Sequence, residues 1–140
     1  MIFITFELII LMKTKSIPYF TLLAAVLLIF SSCEKNDESS PEISLLSPIS
    51  GDTISMTTDS VRIEFHVKDN DEIHMATADI TQAGVNIFKS SKDVDAPMYH
   101  FSQDFKPQKI TGVTPLELTI TASDHAGNQS SKKATFYVKP

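Results

Sequence analysis

Apolar and polar residues alternate most cleanly at Val61-Arg62-Ile63-Glu64-Phe65-His66-Val67-Lys68, where every odd position is apolar and every even one polar. A period of two is the mark of a strand with one face buried and one in water. Leu116-Glu117-Leu118-Thr119-Ile120-Thr121-Ala122-Ser123 repeats the pattern, and Ala134-Thr135-Phe136-Tyr137-Val138 nearly does. Shorter strands are expected at Ile43 to Leu46, Ala76 to Ile80, Val85 to Phe88 and Tyr99 to Phe105. Turn residues separate them: Pro48 and Gly51, Asp69-Asn70-Asp71, Gly84, Asp95-Ala96-Pro97, Gly112, and Asp124 to Asn128. About seven short strands in some hundred residues predict an all-β domain, an antiparallel β-sandwich. No helical period is available for crossover connections, which excludes a parallel sheet.

The inward positions of that pattern are Val61, Ile63, Phe65, Val67, Ile80, Ile87, Tyr99, Phe101, Phe105, Leu116, Leu118, Ile120, Phe136 and Val138. Ala76 and Ala78 are small, so their strand is expected to lie close beneath the Phe side chains opposite. Tyr137 and Phe88 are expected to point outward. Each fully buried aliphatic or aromatic side chain contributes roughly 1.5–3 kcal/mol, and a domain past about 80 residues needs no staple.

The first third reads differently. Two apolar runs, Ile2 to Leu11 and Ile17 to Phe30, flank Met12-Lys13-Thr14-Lys15. A secretory signal has a basic start, a short apolar stretch, then small residues before cleavage. Reading from Met12 meets all three requirements, with Lys13 and Lys15, then Tyr19 to Phe30, then Ser31-Ser32-Cys33. Met12 is therefore the expected start, and residues 1–32 the expected signal peptide. Each run is shorter than the roughly 20 residues of a spanning helix.

Phe30-Ser31-Ser32-Cys33 resembles a bacterial lipobox, with Phe30 where Leu is usual. The resemblance implies that Cys33 is lipidated on sulfur and becomes the amino terminus, anchoring the chain to a membrane without spanning it. Cys33 is the single cysteine, so an internal disulfide framework and a multi-cysteine metal site are both excluded. Residues 33–41 then read as a lipid-anchored, flexible tether, since Glu34 to Pro41 has no apolar residue and can bury nothing. That acidic stretch looks like the export signal of lipoproteins displayed on the outer cell surface; a plain solvated spacer in a periplasm-facing protein accounts for the same residues.

Charge narrows the partners. The chain holds 12 Lys+Arg against 17 Asp+Glu. Setting aside Lys13, Lys15 and Glu7 of the signal leaves 10 basic and 16 acidic residues in the rest. So acidic a surface is a poor match for nucleic acid, whose phosphates call for clustered Lys and Arg.

Ala122-Ser123-Asp124-His125-Ala126-Gly127-Asn128, followed by one last strand, resembles the F–G corner of bacterial immunoglobulin-like modules. Pro41-Glu42-Ile43, Pro48, Gly51 and Val67-Lys68-Asp69 fit the same pattern over roughly residues 41–140. The chain is similar to small lipoproteins carrying one Ig-like domain over 42–140. It lacks the core Trp, the paired cysteines and the strand-F Tyr of antibody-type domains, with Leu116 at the last of these positions.

In the topology implied by that resemblance, the B–C and F–G loops share one end of the sandwich. This would gather Asp69, Asn70, Asp71 and Glu72 near Asp124 and Asn128. Calcium takes six to eight oxygen ligands, so Asp69, Asp71, Glu72, Asp124 and Asn128 form a candidate calcium site; tight turns require the same residue types. His74 and His125 flank these loops and could offer nitrogen to a transition metal. His66 and His100 fall on outer faces of neighbouring strands. Ser123, Asp124 and His125 cannot form a catalytic triad, because adjacent strand residues point to opposite faces and no nucleophile elbow surrounds the serine. The expectation is a non-enzymatic, membrane-anchored binding or structural module with a protein or glycan partner. An accessory subunit of a glycan-uptake or hydrolase system is the alternative.

Overall fold

The computed structural model describes residues 37–56, 60–108 and 110–140. The expected signal peptide over 1–32 and the expected lipidation site Cys33 lie outside the described residues. Among the described residues six strands follow one another: β1 (Glu42–Ser47), β2 (Thr53–Ser55), β3 (Val61–Gln82), β4 (Val85–Phe105), β5 (Thr114–Asp124) and β6 (Gln129–Lys139).

β3 and β4 are long enough to belong to two layers. The first half of β3 is flanked by β1 and by the second half of β4, with Leu45 opposite Phe65 and Phe65 opposite Phe101. Its second half is flanked by the first half of β4 and by β5, with Ala78 opposite both Ser90 and Ile120. The switch falls between Lys68 and Ile73, where the register with β4 breaks. β4 bends at the same level, where Asp95 adopts a left-handed φ of 50°. β6 continues the second layer beside β5, and β2 joins it in parallel, Ile54 opposite Val138. β1 and β6 share no ladder, yet Lys132 Nζ donates to the carbonyl of Ile43 at 3.2 Å. The first strand region divided between two layers, and the antiparallel order of the rest, define an immunoglobulin-like β-sandwich.

The expected strands all form. The expected turns at Asp69-Asn70-Asp71 and Asp95-Ala96-Pro97 do not reverse the chain; each is a bend inside a continuous strand. Gly84 does mark a reversal. Ala83 and Gly84 have φ of 48° and 79°, and Gln82 pairs with Val85. Two central residues with positive φ make a turn of the I′ type, whose twist matches that of the paired strands.

The core joins both layers. Val61, Ile63, Phe65 and Val67 pack with Ile80, Leu116, Leu118, Ile120, Phe136 and Val138, all essentially fully buried. Ile43, Ile73, Ala76 and Ala78 complete it. Two expected positions exchange places. Ile87 is 37% exposed, while Phe88 packs inward with its ring 5.3 Å from that of Phe105. The cause is a β-bulge: Thr81 pairs with Asn86 but Ile80 pairs with Phe88, leaving Ile87 unopposed. One extra residue flips every side chain beyond it to the other face. Tyr99, expected inside, is half-buried, and its burial raises the phenol pKa.

Candidate functional site

β5 ends on Asp124, and the turn that follows is built around its carboxylate. The backbone N–H of Asn128 donates to Asp124 Oδ1 at 2.8 Å, and Asn128 Nδ2 donates to Oδ2 at 2.7 Å. Gly127, with φ of 92°, supplies the left-handed residue that closes the loop. Asp124 is only 3% exposed. Burial pushes its pKa up, but the bonds from Asn128 and the backbone N–H groups of Gly127 and Ala126 outweigh it and hold the carboxyl below its ordinary value.

Asp69 comes to the same place from the bend in β3. Its Oδ1 accepts from the N–H of Asp71 at 2.9 Å, the Asx arrangement that carries the chain around the bend. Its Oδ2 is buried and meets no donor, and the residue as a whole is 7% exposed. Such an unsatisfied oxygen is costly away from water, more so on a charged carboxylate.

Asp37 is the third member, from the segment ahead of β1. Its Oδ1 accepts from Ser39 N at 3.0 Å and from Asn70 Nδ2 at 3.1 Å, and its carbonyl accepts from Asn128 Nδ2 at 2.8 Å. Its Oδ2 is also buried without a donor. One carboxylate oxygen from each of Asp37, Asp69 and Asp124 lies within 4.8 Å of the others. Three like charges so placed repel one another.

The five residues expected to hold calcium thus divide. Asp69 and Asp124 converge. Asn128 stands beside them as a donor that orients Asp124. Asp71 contributes its backbone N–H while its side chain is exposed, and Glu72 is exposed as well; neither joins the carboxylate trio. Asp37 went unrecognised because it lies 32 positions from Asp69 and 87 from Asp124 along the chain. Its one sequence signal is an Asp followed two residues later by Ser39, the spacing of an Asx turn.

A second group lies nearby on the surface. His125 Nε2 is 3.0 Å from Asp95 Oδ1, and the ring of His74 is 4.7 Å from that of His125. All three are exposed, and their nitrogen and carboxylate donors are of the kind transition metals accept. On the outer face of the other layer, His66 and His100 sit in register with ring centroids 4.5 Å apart, and His100 Nε2 is 2.9 Å from Glu64 Oε1. Beside them runs an open groove of about 450 Å³, lined by Glu42, His66, Lys68, Met98, Tyr99 and His100 among others.

Solved structures similar to this chain include the following two. The superoxide reductase (neelaredoxin) from Ignicoccus hospitalis is 10% identical over 72% of this chain and 81% of that one, with a TM-score of 0.42. The fibronectin(III)-like modules of CbhA from Clostridium thermocellum are 14% identical over 70% of this chain and 96% of that one, also with a TM-score of 0.42. No protein-family profile and no curated protein matches the sequence. The immunoglobulin-like class rests on the strand order and register described above.

Proposed function

We propose that the protein is a lipid-anchored, non-catalytic binding or structural module of the outer membrane, displayed on the cell surface. The observation that carries this reading is the order of parts along the chain: a basic start and apolar run, the lone cysteine Cys33, an acidic spacer, and a folded domain. A sandwich with its own core needs nothing further to stand at the end of a stem, and it presents loops and edge strands to a partner. A role in glycan capture draws less support. Among the described residues, Tyr137 is the one exposed phenyl-type ring, whereas sugar platforms are built from several.

Metabolic labelling with an alkynyl fatty acid, followed by fractionation, tests the anchor. The wild type should take up label and sediment with outer membranes, and Cys33→Ala should lose both properties. Sedimentation of the unlabelled variant with membranes would refute the lipid. Proteinase K added to intact cells tests the address: digestion of the sandwich is expected, and full protection would place it on the periplasmic face.

A further inference from the structure

We propose that Asp37, Asp69 and Asp124 bind one calcium ion, which fastens the segment entering the sandwich to the bend of β3 and the end of β5. The inference concerns the folded domain alone and stands whether or not Cys33 carries lipid.

Two independent observations point to a cation. The first is convergence, with one carboxylate oxygen from each of three chain segments inside 4.8 Å. The second is unmet valence. Asp69, more than nine-tenths buried, keeps Oδ2 without a donor, and Asp37 Oδ2 is buried without one too. Buried polar atoms in folded proteins are almost always partnered, and converging carboxylates of which two each keep a buried oxygen without a donor are the complement of a positive ion. Neighbouring donors bind the other oxygen of Asp69 and of Asp37 and both oxygens of Asp124: Asp71 N–H on Asp69, Ser39 and Asn70 on Asp37, Asn128 on Asp124. These bonds fix the carboxylates in place, as ligands must be held by partners behind them.

The donor set chooses the metal. All three ligands are carboxylate oxygens, which suit hard cations; zinc and copper favour nitrogen and sulfur. Magnesium demands a near-ideal octahedron and keeps several waters, whereas calcium accepts an irregular set of six to eight oxygens. Backbone carbonyls and water would complete its shell.

The test uses the full chain in detergent micelles, stripped with chelator and titrated with calcium chloride by calorimetry, with melting followed in parallel. One site per chain is expected, with a Kd at or below the roughly 10⁻⁴–10⁻³ M of extracellular calcium modules. Melting should shift upward by several degrees at saturating calcium, because a ligand of the native state alone must stabilise it. Asp69→Asn should weaken binding at least tenfold yet melt no lower than the wild type in chelator, since it removes one of three repelling charges. Asp71→Asn, outside the trio, should bind as the wild type does. No calcium-dependent shift would overturn the proposal. So would a shift matched by magnesium or by sodium chloride of equal ionic strength, or one that Asp69→Asn retains in full. Should Asp69→Asn fail to fold, Asp37→Asn carries the same expectations, its side chain being only half-buried.

Discussion

Phe65 and Phe101 face each other across neighbouring strands, paired in register, with ring centroids 4.7 Å apart and planes 12° from parallel. Phe65 is wholly buried and Phe101 is 5% exposed, and both belong to the core shared with the aliphatic side chains.

Truncating Phe65 to Ala is therefore expected to cost about 3–5 kcal/mol, through lost burial and the cavity left behind. Phe101→Ala removes the same contact from the other side. A double-mutant cycle by urea unfolding should return a coupling of roughly 0.5–1.5 kcal/mol. Strict additivity would mean that the rings do not interact beyond their burial.

Ala83 occupies the first central position of a turn that demands positive φ at both, and L-residues with a β-carbon resist that conformation. Ala83→Asn creates the Asn-Gly pair that such turns favour. It should stabilise the domain by about 0.5–1 kcal/mol, read as a melting temperature a few degrees higher. Gly84→Ala, at φ of 79°, should move it the opposite way.

Asp124 ties the protein to pH. Its folded pKa lies below the ordinary 3.8, so its hydrogen bonds add stability at all pH values above about 4 and lose it as pH falls through the folded value. At pH 7, Asp124→Ala should cost about 1–3 kcal/mol, since it strands the Asn128 donors as well as deleting their acceptor. The gap between wild type and variant should narrow steadily below pH 4 in urea titrations. A gap that stays constant down to pH 2 would show that the charge plays no part.

Strands were easily read because burial on one face writes itself as alternation. Val61 to Lys68 and Leu116 to Ser123 take the faces their parity assigns. Parity fails at Ile87 because the pairing slips there, and the slip depends on which residue lies opposite, which is a property of two strands together. Asp69-Asn70-Asp71 misled for a related reason. The Asx bond from Asp71 N to Asp69 is the one a tight turn would contain, but strand partners resume at Ile73 on both sides and keep the chain extended. Two of the three carboxylates were legible, through the loop at Asp124 to Asn128 and the acidic run from Asp69. Asp37 was not, because its part depends on long-range contacts that leave no local pattern.

The chain enters the sandwich at Asp37, alongside Asp69 and Asp124, and β6 runs from that same pole to finish at Lys139 on the other. The Ala83–Gly84 hairpin shares the far pole with the start of β5. The carboxylate trio and the Ala83–Gly84 tip therefore stand at opposite poles of the sandwich, so a substitution at the tip leaves the three carboxylates with all their partners.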